Sequence, residues 1–151
     1  MLLIIIFFVI PFIIGSISNW FIPILSNITD MCFSHLNNLS YILLILSSLL
    51  LLISIYIEAG SGTSWTLYPS LSSYVSHPGY SVRCIIFSLH LAGISSLLAS
   101  INFIITIISS IRLLKVYIFI WSLFTTAFLL LVSTSCIGWS YYNIIIGNKL
   151  E

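Results

Sequence analysis

Charge is nearly absent from this sequence. Its 151 residues include four Lys or Arg and three Asp or Glu, so charged side chains make up 5% of the chain. A soluble domain of this length would be about one-quarter charged. Hydrophobic residues make up 60% of the chain, and the mean hydropathy is +1.25. The composition therefore excludes an ordinary soluble domain and predicts an integral membrane protein.

Several familiar binding motifs are also missing. Cys32, Cys84 and Cys136 show no CxxC spacing and no neighbouring histidine cluster, so we interpret them as packing residues rather than metal ligands. The sequence contains no Gly-rich phosphate loop and no basic surface for nucleic acid. No charge precedes Asp30, so the basic region of a secretory signal is absent, and we expect the first apolar stretch to be retained.

Four apolar stretches are long enough to cross the ~30 Å hydrocarbon layer of a bilayer. They cover residues 2–25, 41–57, 82–109 and 116–146. These spans predict an all-α, polytopic transmembrane fold over the single region 1–151. The positive-inside rule does not orient it, because four spans place Arg112 and Lys115 on one side and Arg83 and Lys149 on the other.

A polar stripe runs along the third span. Ser88, Ser95 and Asn102 recur every seven residues, which places them on one helix face over ~21 Å of axis. Polar side chains at membrane depth usually face a bundle interior or a water-filled path. Close helix packing is the simpler interpretation, because small residues let membrane helices approach each other.

Three blocks of sequence carry a family resemblance. They comprise residues 15–20 with 30–31 and 37–38, residues 58–69, and residues 87–96 with 101–103. In this order and spacing they resemble subunit I of cytochrome c oxidase, in the haem-copper oxidase superfamily. The resemblance implies part of a twelve-helix bundle in a complex that reduces oxygen and pumps protons. It also implies haem a, haem a3 and copper, ligated by another chain and not by these residues.

The resemblance assigns roles to individual residues. It makes Asp30 the entrance carboxylate of a proton-uptake path, with Asn19 and Asn37 at its mouth. The residues that it places along the path are Ser40, Ser88, Ser95, Ser96 and Asn102. It places Trp65 and Tyr68 near the haem edge. None of the three histidines, His35, His77 and His90, matches a metal ligand of the family. Without the resemblance, Asp30 would be an ordinary loop carboxylate or helix cap, and Trp65 a residue of the interfacial aromatic belt.

We therefore expect a fragment of a split subunit I in the inner mitochondrial membrane, or alternatively in a bacterial plasma membrane. Its expected partners are the chain or chains with the remaining helices, the other oxidase subunits, cytochrome c through the complex, and lipid. Three alternatives stay open. They are a quinol oxidase fragment, an inactive structural membrane subunit, and a small independent proton channel.

Overall fold

The described part of the chain is built from helices. The computed structural model describes residues 9–57, 60, 62–63, 67–68, 72, 79–110 and 117–150, with the backbone alone at 12, 137, 141 and 144–150. Its elements are a π-helix at Phe12–Ser18, α1 at Asn19–Ser26, α2 at Ser34–Tyr56, α3 at Tyr80–Ser110 and α4 at Ile118–Leu150. These residues contain no β-strand, which confirms the predicted all-α class.

Three of the described helices are long and apolar enough to cross a membrane. They are Ser34–Tyr56, Tyr80–Ser110 and Ile118–Ser140. A shorter apolar helix covers Ile13–Ser26 and corresponds to the second half of the first predicted span. Residues 2–8 of that predicted span lie outside the described residues, as do residues 111–116 between α3 and α4.

The start of α2 differs from the hydropathy pattern. The apolar run begins at Tyr41, whereas the helix begins at Ser34 and includes His35, Asn37 and Asn38. Hydropathy marks the part of a helix that can sit in hydrocarbon, and a membrane helix continues beyond that boundary when its first turns face water or protein. The connection before α2 is therefore shorter than the polar sequence suggests, and it consists of residues 27–33.

The N-terminal helix changes geometry and then stops at a defined cap. Seven residues adopt π-helical geometry before the α1 segment, which contains Pro23. Asn27 then adopts a left-handed conformation with φ 53°, which Asn tolerates better than most residues. The N–H groups of Asn27 and Ile28 both donate to the Pro23 carbonyl, Ile28 at 3.1 Å. This cap turns the chain into the loop that carries Asp30.

The central helix α3 packs against α1, α2 and α4. Apolar side chains fill its contact with α1 and α4, where Ile22, Phe103, Ile107, Ile120 and Ala127 form a buried cluster. The end of α3 thereby meets the beginning of α4, so these two helices run antiparallel. The contact with α2 is different because its buried residues are mostly serines.

Candidate functional site

Six serines join α2 to α3 at regular intervals. The side-chain hydroxyls of Ser81, Ser88 and Ser95 donate to backbone carbonyls of α2 at 2.8, 2.6 and 2.6 Å. Their acceptors are Ser54, Ser47 and Ser40, which are themselves seven residues apart. All six residues are buried. We refer to Ser40, Ser47, Ser54, Ser81, Ser88 and Ser95 as the serine ladder.

The α2 hydroxyls of the serine ladder bond within their own helix. Ser40, Ser47 and Ser54 donate to carbonyls three residues earlier, at 2.7, 2.8 and 2.6 Å. Every hydroxyl of the ladder thus donates to a backbone carbonyl. Small side chains and such bonds allow close approach of membrane helices. The ladder has the geometry of helix packing, and the transport role of Ser40, Ser88 and Ser95 stays a prediction.

Asn102 continues the α3 stripe one heptad beyond Ser95. Its side chain is 0% exposed. The carbonyl oxygen Oδ1 accepts a 3.1 Å hydrogen bond from the backbone N–H of Phe33. The amide nitrogen Nδ2 is buried and has no protein partner. Buried polar groups are normally paired with protein or with ordered water, so this amide is chemically suited to hold a water molecule.

A second pair of amides lies at the same end of the helices. Asn19 Nδ2 at the start of α1 donates to Asn37 Oδ1 on the first turns of α2, at 3.2 Å. The Oδ1 atom of Asn19 is buried without a partner. Asp30 lies on the loop between these two helices, and its side chain is exposed. The structure therefore places Asp30, Asn19, Asn37 and Asn102 at one end of the bundle.

The remaining predicted path residue, Ser96, is outside the ladder. It is half-buried, and its hydroxyl donates at 2.8 Å to the Gly93 carbonyl of its own helix. Its part in a path stays a prediction.

Tyr68 belongs to the opposite end of the bundle from Asp30. It follows Leu67, which is buried against Val82 and Ile86 near the beginning of α3. The tyrosine side chain is 55% exposed. The 23 residues of α2 separate the two ends by roughly 34 Å. Trp65, predicted beside Tyr68 near a haem edge, lies outside the described residues.

No metal centre is formed among the described residues. Within them, no group of three or more His, Cys, Asp or Glu side chains could hold a metal ion. His35 is exposed at the start of α2, and His90 is half-buried in α3.

Several residues of this region were not predicted from the sequence. Ser47, Ser54 and Ser81 complete the ladder, and their seven-residue spacing to Ser40 and Ser88 was a usable signal. Thr106 and Cys32 were also missed. Thr106 accepts from the Cys32 backbone N–H at 3.2 Å, a contact between positions 74 residues apart that no local pattern indicates.

Comparison with known proteins identifies the family. The family described as Cytochrome C and Quinol oxidase polypeptide I matches residues 1–148. The chain belongs to this family. The resemblance inferred from the three sequence blocks is thereby confirmed.

Similar proteins of the cytochrome c and quinol oxidase polypeptide I family include three from yeasts, each named cytochrome c oxidase subunit 1. The Candida albicans protein is 45% identical over 130 residues, covering 83% of this chain and 24% of that protein. Those of Eremothecium gossypii and Yarrowia lipolytica are each 45% identical over 136 residues, covering 87% of this chain and 25% of theirs. The chain spans about a quarter of the length of these curated relatives.

Proposed function

We propose that these residues form the proton-uptake segment of cytochrome c oxidase subunit 1, in a complex that reduces oxygen to water and pumps protons. The yeast relatives carry that name, and the family is shared. The observation that carries the uptake role is the exposed Asp30 carboxylate at the same end as two buried, unpartnered amide atoms. These atoms are Asn19 Oδ1 and Asn102 Nδ2.

The unpartnered amide atoms of Asn19 and Asn102 are suited to bind water at the mouth of the proposed path. Asn19 Oδ1 is an acceptor without a donor, and Asn102 Nδ2 is a donor without an acceptor. A water molecule supplies both kinds of group and is the usual partner of buried polar atoms that protein does not satisfy. We infer that Asp30 collects protons from the aqueous phase and passes them to waters held by Asn19, Asn37 and Asn102.

The serine ladder supplies the next section of the proposed path. Each hydroxyl donates to a carbonyl, but its oxygen keeps lone-pair capacity to accept a hydrogen bond from water. Ser40 and Ser95 meet at the end of the ladder nearer to Asn102, and Ser88 lies one heptad farther along α3. Ser96 stands beside Ser95 on α3. This order leads from the Asp30 end toward the middle of the membrane helices.

The oxygen-reducing cofactors are proposed to be bound elsewhere in the subunit. We propose that haem a, haem a3 and copper take their histidine ligands from another chain, one that carries the remaining helices of the subunit. Trp65 and Tyr68 are proposed to lie near a haem, at the end of the bundle opposite Asp30. We further propose cytochrome c as electron donor and the other oxidase subunits as partners, in keeping with the yeast relatives' name. The inner mitochondrial membrane is the proposed location.

The uptake role is tested by Asp30→Asn in the assembled oxidase. Removing a positioned proton-transfer group lowers rates by on the order of a hundredfold or more, so we expect loss of that size in proton uptake and oxygen consumption. Thr29→Asn, an exposed change at the neighbouring position, is the matched control and should leave both rates unchanged. Full turnover and pumping in Asp30→Asn would show that Asp30 is not the entrance.

The expectation of a split subunit stays a prediction with its own test. An intact-mass inventory of the purified complex identifies the polypeptide that carries the metal-binding histidines. A companion chain with those histidines supports the split subunit, whereas a complete second subunit 1 in the same complex contradicts it.

A further inference from the structure

The loop that carries Asp30 is bonded to the last turns of α3. The backbone N–H of Phe33 donates to Asn102 Oδ1 at 3.1 Å, and that of Cys32 donates to Thr106 Oγ1 at 3.2 Å. The Cys32 sulfur and the Ser109 hydroxyl are 3.0 Å apart. We call these contacts the loop clasp. Its members are Cys32, Phe33, Asn102, Thr106 and Ser109.

The α3 side of the clasp lies on one helix face. Asn102, Thr106 and Ser109 follow one another at intervals of four and three residues, which stacks their side chains along consecutive turns. Thr106 is fully buried, and its hydroxyl donates to the Asn102 carbonyl at 2.6 Å. That bond orients the Thr106 oxygen so that its lone pairs can accept the Cys32 N–H.

The clasp begins two residues after Asp30. Met31 packs against the buried cluster that contains Phe103 and Ile107, and Cys32 and Phe33 then donate their consecutive N–H groups to α3. Before Asp30, the cap at Asn27 bonds to Pro23. The Asp30 backbone is therefore held on both sides, although its side chain is exposed.

We propose that Thr106 and Ser109 are positioning residues for Asp30, acting through Cys32. The inference rests on the proposed role of Asp30 in proton uptake. Neither residue belongs to the predicted path, and neither is assigned contact with the transferred proton. Their effect is to fix the loop so that the carboxylate stays at the end of the bundle that holds the amides of the mouth.

The test pairs a structural measurement with a functional one in the assembled oxidase. Thr106→Val keeps the shape of the side chain and removes the acceptor oxygen, whereas Thr106→Ser keeps that oxygen. Loss of one hydrogen bond corresponds to about a fivefold change in a local opening equilibrium. We expect hydrogen exchange of the amides in residues 31–33 to rise about fivefold in Thr106→Val, with proton uptake falling to a similar degree.

A conservative substitution at Thr106 and a control substitution at a neighbouring serine distinguish a positioning role from a general loss of structure. Thr106→Ser should restore slow exchange and fast uptake. Ser109→Ala should show a smaller effect in the same direction, because it removes the side-chain contact to Cys32 and a bond within α3, whereas the backbone N–H bonds of Cys32 and Phe33 to α3 remain. Ser110→Ala is the control, since that hydroxyl donates only to Ile107 of its own helix and should change neither measurement. The KM for the electron donor should stay constant while kcat falls.

The outcomes distinguish the clasp from the proposed function. Fast exchange with normal uptake in Thr106→Val would overturn the positioning role, as would unchanged exchange. If Thr106→Val does not assemble, Ser109→Ala and Cys32→Ala are decisive by the same two measurements. Normal uptake in Asp30→Asn would refute the proposed function itself, whatever the exchange results. Slow uptake in Asp30→Asn but normal uptake in all clasp variants would refute the clasp alone.

Discussion

The side-chain hydroxyl of Ser88 donates a 2.6 Å hydrogen bond to the backbone carbonyl of Ser47 on the neighbouring helix. Both residues are 0% exposed. The outer side of α2, the helix of Ser47, carries exposed apolar side chains: Ile42, Leu46, Leu49 and Ile53. This arrangement reverses that of a water-soluble bundle and suits a membrane, where apolar side chains face lipid or further helices and small polar ones join the helices.

Enlarging Ser88 should weaken the contact between α2 and α3. We expect Ser88→Leu to destabilise the assembled subunit by about 1–3 kcal/mol, because the larger side chain forces the helices apart. Ser88→Ala, which loses only the bond, should cost about 0.6 kcal/mol. The thermal unfolding midpoint of the detergent-solubilised complex measures both. Ser48→Ala is the control, since that hydroxyl bonds within α2, and equal midpoints for Ser88→Leu and Ser48→Ala would contradict the ladder's structural role.

The contact between Asn19 and Asn37 predicts coupled effects on proton uptake. Each single change to Ala removes the same 3.2 Å hydrogen bond, so the double variant should be less impaired than the product of the two single effects. We expect a coupling of about 1 kcal/mol, or roughly fivefold in rate, from a double-mutant cycle. Asn38→Ala changes an exposed neighbour and should show no coupling to Asn19. If the uptake rate of the double variant instead falls by the product of the two single effects, Asn19 and Asn37 do not act together at the mouth of the path.

Asn102 should matter more than a residue elsewhere on the same helix. Asn102→Ala leaves the Phe33 N–H without its partner in a part-buried site, which should cost about 1 kcal/mol of stability and slow proton uptake. His90→Gln is the comparison, because His90 faces away from the seven-residue stripe. Oxygen consumption and proton uptake of the assembled oxidase measure the difference. Equally mild effects of the two changes would favour packing as the only role of the stripe.

The two ends of the bundle should be reachable from opposite sides of the membrane. Thr29 and Tyr68 are exposed and lie at the Asp30 end and the opposite end, respectively. With Cys32 replaced by Ser, a membrane-impermeant maleimide should label Thr29→Cys from one face of sealed vesicles and Tyr68→Cys only from the other. The Cys32→Ser parent measures background labelling of Cys84 and Cys136. Labelling of both introduced cysteines from the same face would contradict the transmembrane arrangement of α2.

Much of the fold follows from hydropathy. The third predicted span, residues 82–109, lies within α3 at Tyr80–Ser110, and the fourth, 116–146, overlaps α4 at Ile118–Leu150. The start of α2 was less predictable because His35, Asn37 and Asn38 read as loop residues by polarity. A helix needs only satisfied backbone bonds to continue past the apolar region, and polarity does not report those bonds.

The polar stripe of α3 was predictable in its residues but not in its bonds. Ser88, Ser95 and Asn102 are visible as a seven-residue stripe, and their shared helix face follows from the period of the helix. The partner of each hydroxyl depends on the register between α2 and α3, which pairs residues 41 and 55 positions apart for Ser88 and Ser95. Spacing within one helix carries no information about that register.

By itself, the sequence determined that this is an all-helical membrane protein and which positions of each helix are polar, because composition and helical period are local properties. The tertiary structure alone decided that Ser81, Ser88 and Ser95 bond to the backbone of α2, that Asn19 bonds to Asn37, and that Thr106 and Ser109 contact Cys32 in the Asp30 loop. Those contacts join positions distant in the chain. They exist only once helix packing has brought specific donors and acceptors within bonding distance.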